Sequence, residues 1–396
     1  MKHFIIIISL LALAPFSFAQ QSGLQEVLEM VKQNNKALQA GEAETNSLKL
    51  QSASENNLPD PTVTYSHLWG NKPGMGFTGE FIASQAFDFP SLYVQRGKLN
   101  KVRYTTYDFQ HAVLRQQILL QAKQVYLDLV YLNQVRNLLQ LRLSNAEDLS
   151  RFYESRLEKG DANIIETNKI ELELLNVRNE FRQNEAARVA KLEELVALNG
   201  GQSLSVSDTM YISNETYPTD FQSFCAEAMG ELPELQALRQ EQIAANRKIS
   251  VSKQQWLPGL TLGYRMNPSS GGSRYNGVLV GITIPLFANR HKVQQAKAER
   301  FYADNMLDNV SETTEANLRQ LWNKAGELKK SIDEYSNILS RQNNISLLNK
   351  AIQSGQISMI EYFVNITTLY QSMQNYLQLQ NDYQKTMAEL YKFRID

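Results

Sequence analysis

Two periodicities alternate along this chain. Over long stretches the apolar residues recur every three or four positions, the spacing that gathers them on one side of an α-helix. Twice this gives way to short segments in which apolar and polar residues alternate, as a strand with one apolar and one polar face requires. In Thr62–Trp69 one face carries Val63, Tyr65 and Trp69 and the other Thr62, Thr64 and Ser66. In Phe77–Phe89, Phe77, Phe81, Ala83, Phe87 and Phe89 oppose Thr78, Glu80, Ser84 and Asp88. The link Asn71–Gly76 has the Pro and Gly content of a hairpin loop. Further on, Leu260, Leu262, Tyr264 and Met266 oppose Thr261, Gly263, Arg265 and Asn267. Then Val278, Val280, Ile282 and Ile284 oppose Gly277, Leu279, Gly281 and Thr283, after the polar link Pro268–Arg274.

The helical stretches are long. Gln25 to about Asn57 reads as a first helix, closed by Leu58-Pro59-Asp60-Pro61. Ser91–Lys159 contains no proline, and as one helix its 69 residues would reach on the order of 100 Å at about 1.5 Å per residue. Ile118, Val125, Leu132, Leu139, Ala146 and Tyr153 recur every seven positions within it, and Leu318, Leu321, Ala325, Leu328, Ile332, Tyr335 and Leu339 fill successive core positions in the second half. Return helices are expected from Asn163 to about Asn199 and from Ser358 to about Phe393.

The whole order occurs twice. Leu157–Glu166 comes back as Ile352–Glu361, and Phe89-Pro90 as Ile284-Pro285, at the same offset of 195 residues. Gly160 and Gly355 supply the left-handed residue that ends a helix, and Asn163 and Ser358 can cap the next one, so each copy reads as the tip of a helical hairpin. Pro90 and Pro285 stop strand pairing and mark strand–helix junctions. The expected organisation is a signal segment at 1–19, a first repeat at 20–200 with a β-hairpin at 62–89 and a tip near 160, a linking segment at 201–230, and a second repeat at 231–396 with a β-hairpin at 260–286 and a tip near 355.

Composition then narrows the possibilities. Lys2, the apolar run Phe4–Ala14 and Ser17-Phe18-Ala19 resemble a secretory signal, with cleavage expected before Gln20 and, for want of a Cys there, no lipid on the new terminus. Beyond it no uncharged apolar run approaches the roughly 18 residues a spanning helix needs, so any membrane crossing falls to strands. Forty basic and 41 acidic residues are interspersed, which removes any electrostatic case for nucleic acid. The four histidines, at 3, 67, 111 and 291, are scattered, and no glycine-rich phosphate loop occurs. Neither a metal, a cofactor nor an enzyme is therefore expected. Arg96-Gly97-Lys98 and Arg290-His291-Lys292 read as solvated basic turns, and the lone Cys225 as a small buried apolar residue.

Four strands match outer-membrane barrel strands in length and pattern, but about eight is the practical minimum for closure. An open sheet in lipid would leave edge N–H and C=O groups unpaired, at several kcal/mol each. The chain must oligomerise to close a barrel or stay out of the membrane.

The signal segment, the twofold repeat with one β-hairpin and one long helical hairpin in each half, Leu58-Pro59 and Leu257-Pro258 before the strands, Ile284-Pro285-Leu286-Phe287 after them, and the glycine-plus-acid tips together resemble the TolC outer-membrane efflux family. The likeness covers nearly the whole mature chain and lies in order and offset, not in any single motif. It implies a mainly α fold with a small transmembrane β part: long antiparallel coiled-coil helical hairpins plus two β-hairpins per chain, assembled as a trimeric α/β-barrel. It further implies a homotrimer whose twelve-stranded barrel sits in outer-membrane lipid and continues as a twelve-helix tunnel into the periplasm. There it would dock on a periplasmic adaptor (membrane fusion) protein and an inner-membrane pump. Leu58–Pro61 and Phe87–Lys98 are closest in style to the heavy-metal efflux branch. The chain is shorter than many members, so reduced equatorial elements are expected near 201–226 and at the C-terminus.

On this resemblance the lipid-facing residues are Val63, Tyr65, Trp69, Phe81, Phe87, Leu262, Tyr264, Val278, Val280 and Ile282. Gly160, Asn163, Gly355 and Ser358 form the adaptor-docking tips. Glu166 and Glu361 would put six carboxylates around the axis of a trimer as a tunnel gate; the alternative for them is the ordinary role of first-turn acids favoured by the helix dipole. A second class of function, a periplasmic coiled-coil adaptor or scaffold without a channel, would need only one helical hairpin, whereas this chain encodes two.

Overall fold

The structure is a computed structural model, and it describes residues 23–212, 215–340 and 344–395. The signal segment read at 1–19 lies outside them. The elements are α1 (Leu24–Asn34), α2 (Lys36–Ser54), β1 (Thr62–Trp69), β2 (Phe77–Phe87), α3 (Pro90–Glu158), α4 (Ile164–Leu198), α5 (Phe221–Glu231), α6 (Pro233–Gln254), β3 (Gly259–Pro268), β4 (Arg274–Thr283), α7 (Lys292–Leu339), α8 (Asn344–Gln353) and α9 (Met359–Leu390), followed by a 3₁₀ turn at Lys392–Arg394. The proline-free stretch after Pro90 is one helix of 69 residues, as its heptads predict.

Three local expectations are corrected. The first helix is two, because Asn35 is extended (φ −62°, ψ 122°) between α1 and α2. What overrides the helical pattern is tertiary: the Asn35 amide donates to the Leu198 carbonyl at 2.7 Å, and the Asn34 amide to the Asn199 side chain at 3.0 Å. The same break recurs in the second half, where Leu232 (φ −59°, ψ 120°) separates α5 from α6 and Pro233 opens α6. The junction prolines differ. Pro90 is the first residue of α3, but Pro285 is followed by a turn, and α7 begins only at Lys292. Arg96-Gly97-Lys98 lies inside α3, with Arg96 paired to Asp88 at 2.8 Å. Arg290-His291 does lie in a turn, where His291 takes a left-handed φ of 66°.

The chain packs as two compact units, each drawing segments from both sequence repeats. One comprises Lys36–Leu120, Glu215–Gly326 and the last residues of the chain. It contains the sheet, whose four antiparallel strands follow the order β1-β2-β3-β4. Around the sheet, Leu92, Leu99 and Val251 form a small core between α3 and α6. Helix α2 lies so close to α3 that a Cβ on Gly41 would stand 2.6 Å from Leu114. In the same unit Trp322 stacks on Tyr217 at 5.5 Å and donates to the Pro218 carbonyl, which clips residues 217–221 onto α7.

The other unit takes α1 together with Gln121–Asn214 and Glu327–Ala388. Its core brings four helices together: Leu149 and Tyr153 of α3, Ile170 of α4, Ile352 of α8, and Met359, Tyr362, Ile366 and Tyr370 of α9. Asn133 of α3 donates to the carbonyls of Val206 and Asp208, which holds the extended segment after α4 against the helix and buries Leu204 and Val206. At the end of α4, Gly200 has φ 67° and its missing Cβ would stand 2.3 Å from the Asn34 carbonyl oxygen, so the α1–α2 break and this turn are mutually fitted. Gly201 has φ 84° but open space around it.

This contrast gives a stability test. Gly201→Ala should cost about 1–2 kcal/mol from backbone strain alone, and Gly200→Ala should cost clearly more because a backbone oxygen stands in the way. Urea unfolding of the detergent-solubilised protein, comparing the two variants, measures the difference; equal costs would show that the turn is not fitted to α1.

Candidate conduit surfaces: sheet faces and hairpin tips

In an antiparallel ladder, residues directly opposite each other share a face. The register sets Tyr65 opposite Phe81 and Trp69 opposite Phe77 across β1–β2; Phe87 opposite Leu260 and Ala83 opposite Tyr264 across β2–β3; and Leu262 opposite Val280, Tyr264 opposite Val278 and Leu260 opposite Ile282 across β3–β4. Every one of the ten residues expected to face lipid therefore falls on a single face of one continuous sheet. On the edge strands that face is bare, with Val278 87 % and Trp69 79 % exposed. Phe81 and Phe87, on the inner strand β2, are half-covered by their neighbours.

At the loop end of this face, His67 stacks on Phe77 at 4.6 Å and meets Trp69 edge-on at 4.8 Å, with the Tyr65 hydroxyl 3.2 Å from its Nδ1. In the sequence His67 stands apart from the other three histidines. Its place in the alternation, two residues from both Tyr65 and Trp69, was the signal. Such an aromatic cluster at one edge of an apolar band is what membrane interfaces favour in barrels.

The opposite face carries Thr62, Thr64, Ser66, Thr78, Glu80, Ser84, Ala86, Gly259, Thr261, Gly263, Arg265, Asn267, Gly277, Gly281 and Thr283, interrupted by Leu68, Ile82, Tyr275 and Leu279. Arg265 and Glu80 form an ion pair on it. Strands β1 and β4 are the two edges, and among the described residues their outer rows of backbone N–H and C=O groups have no strand partner. Among the described residues no helix is long and apolar enough to cross a membrane. No group of three or more His, Cys, Asp or Glu is placed to hold a metal ion among them either.

The two hairpin tips are built alike. Gly160 (φ 76°) and Gly355 (φ 72°) are left-handed. The Gly160 N–H donates to the Leu157 carbonyl and the Asp161 N–H to Arg156; likewise the Gly355 N–H donates to Ile352 and the Gln356 N–H to Ala351. This paired closure satisfies the orphan carbonyls of a helix end and needs a residue with φ above zero. The following helices then start on reciprocal caps. The Asn163 side chain accepts from the Ile165 N–H at 2.9 Å while Glu166 accepts from the Asn163 N–H at 3.3 Å. In the second tip Glu361 accepts from both the N–H and the hydroxyl of Ser358, at 2.8 and 2.9 Å, and the Ser358 hydroxyl lies 3.3 Å from the Glu361 N–H. The Ser358 N–H, and after it the Ser358 hydroxyl, hold the Glu361 carboxyl below its ordinary value of 4.5.

Behind the tips a polar chain runs through the four-helix core. Tyr362 donates to Asn349 at 2.8 Å, Asn349 to Asn145 at 3.4 Å, and Asn145 to the Tyr370 hydroxyl at 2.7 Å. Arg142 lies 5.5 Å from the Tyr370 ring centre and pairs with Glu173 at 2.6 Å and Glu180 at 2.8 Å. Burial pushes the Tyr362 and Tyr370 hydroxyls up, so both stay protonated, Tyr362 as a donor to Asn349 and Tyr370 as the acceptor from Asn145. The heptads did not reveal this chain, because its asparagines look like ordinary polar positions until α8 and α9 are docked.

Comparison with known proteins follows the same lines. Residues 225–393 match the family described as outer membrane efflux protein. The fold matches crystal structures of CusC (TM-score 0.75, 15 % identity, covering 95 % of this chain and 92 % of that one), described in connection with folding and transmembrane channel formation. It also matches the outer membrane protein VceC of Vibrio cholerae (0.77, 13 %, covering 95 % and 97 %) and the open state of the MtrE outer membrane channel of Neisseria gonorrhoeae (0.76, 14 %, covering 93 % and 88 %). No curated protein matches the sequence. The family match covers the second half of the chain, and the shared fold spans nearly all of it.

The tip chemistry carries a pH dependence with a definite sign. Because folding lowers the Glu361 pKa, its contribution is fully present above 4.5 and is lost as pH falls through the lower folded value. Hydrogen exchange at residues 358–362 should show Glu361→Gln less protected than the parent at about pH 7, with the difference shrinking toward about pH 3. A constant difference would mean that the cap is not what protects these amides.

Proposed function

We infer that three copies of this chain close a twelve-stranded barrel in the outer membrane and extend it as a helical tunnel into the periplasm, forming the exit conduit of a tripartite efflux or export system. The single observation that carries this reading is the sheet: one face apolar across all four strands, the other small and polar, and both edges open. A soluble scaffold would have to cover that apolar face with its own helices, yet Val278, Val280 and Ile282 stand exposed. Since each strand is antiparallel to the next, β4 of one copy can pair with β1 of another and keep the alternation. Three copies exceed the practical minimum for closure.

In this reading the apolar face meets lipid and the polar face lines the lumen. The tips dock on a periplasmic adaptor connected to an inner-membrane pump. Support for docking comes from Ile164, Ile165, Ile360 and Val364, which are exposed on the first turns of α4 and α9 beside Gly160, Asn163, Gly355 and Ser358. Glu166 and Glu361 hold the tip turns through their caps. In a trimer their carboxylates would also set the charge at the tunnel end, the basis of a gate role.

Two experiments test the two ends. Val280→Arg or Phe81→Arg should cost roughly 2–4 kcal/mol near the bilayer midplane, whereas Thr261→Arg or Thr78→Arg should be mild. The readout is the yield of heat-modifiable trimer extracted from outer membranes, and equal yields for the two sets would reverse or remove the face assignment. At the tips, a Cβ at Gly160 or Gly355 would meet no neighbouring atom within 4 Å, so Gly160→Val and Gly355→Val strain first the left-handed backbone. They should leave trimer levels intact while lowering pump-dependent resistance. Full resistance would remove the tips from docking.

A further inference from the structure

We propose that the ion pair between Glu80 and Arg265 sets the ion selectivity of the barrel by holding the net charge of its polar lining at zero. This rests on the conduit reading, in which that face lines the lumen. The four strands contain three charged side chains: Glu80, Arg265 and Arg274. Arg274 lies opposite Pro268, at the loop end of the sheet and in the alternation of the apolar face. Only Glu80 and Arg265 belong to the polar face within the strands. The register places Arg265 opposite Ile82, two residues along β2 from Glu80, and the two side chains meet diagonally.

The rest of the lining is thin. It is mostly Gly, Ser and Thr, and at Gly263 nothing larger fits, because a Cβ would stand 2.5 Å from the Ala83 carbonyl oxygen. Within the strands Glu80 and Arg265 are the charged side chains of the lining, and Tyr275, near the loop end of β4, is its aromatic one. The next charged residue on this face, Asp88 beyond the end of β2, is itself matched by Arg96 at 2.8 Å. Arg265 contacts Glu80 at Oε1 and is its charge partner. A barrel of three copies would carry three such pairs at one level. A pore with low-dielectric walls focuses the field of its charges, and rings of like charge select ions. Matched pairs cancel that field; removing one partner uncovers a ring of three like charges.

The test is the chloride-to-potassium permeability ratio of purified trimers in planar bilayers, at about 0.1 M salt where screening extends only about 10 Å. Glu80→Gln should raise the ratio severalfold and Arg265→Gln should lower it severalfold. The exchanged pair Glu80→Arg with Arg265→Glu should restore the parent's value. Thr78→Lys, which leaves the pair intact and adds a cation to the same lining, should raise the ratio even if a pair variant fails to assemble. Unchanged ratios in the single variants or in Thr78→Lys, or an exchanged pair that behaves like a single loss, would overturn the proposal and leave the pair a structural contact. A parent protein that forms no conducting pore would instead overturn the conduit reading.

Discussion

Unpaired backbone groups at the edges of β1 and β4 are the constraint on which the rest of this structure depends. In hydrocarbon each such N–H or C=O costs several kcal/mol, and no side chain of the sheet can repay it. In water the same sheet would expose the apolar face that runs across all four strands. A single chain is satisfied in neither solvent. Pairing edge to edge with further copies removes the first penalty, lipid around the apolar face removes the second, and the antiparallel alternation permits the pairing without any change of strand direction. In the proposed barrel the polar face would be the lining.

The chain also solves a second problem, that of reversing very long helices. A helix end leaves carbonyls without partners, and the next helix start leaves N–H groups without partners. At both tips the solution is the same: a left-handed glycine closes the first helix, and a reciprocal cap between Asn163 and Glu166, or between Ser358 and Glu361, opens the second. The tips are therefore rigid turns presented at the ends of a four-helix core, with exposed isoleucines beside them. That combination of fixed backbone and exposed apolar side chains suits a docking surface better than a mobile loop would.

The two halves of the chain share their order of elements but not their details. Pro90 can open α3 at once because a proline lacks only an N–H that the first helical turn leaves unused. After Pro285 the chain first makes a turn in which the Asn289 side chain donates to the Gln255 carbonyl and His291 is left-handed, and α7 starts at Lys292. The packed units also draw on both repeats, since each hairpin of one half finds its neighbours in the other.

Local periodicity by itself determined the strands, their two faces, the long helix after Pro90 and both tips. These features are set by residues within a few positions of one another: alternation specifies a strand face, heptads a helix seam, and glycine with a following cap residue a reversal. Only the tertiary structure decided the rest. The helical pattern breaks at Asn35 because Leu198 and Asn199, more than 160 positions away, take the hydrogen bonds of Asn35 and Asn34 respectively. His67 joins an aromatic cluster because Phe77 is brought across a hairpin. The Tyr362–Asn349–Asn145–Tyr370 chain exists because four helices from both halves share a core, and Glu80 meets Arg265 because β2 and β3, from different repeats, lie side by side. In each case the partner is distant in sequence, so the physical cause is a contact that no local pattern encodes.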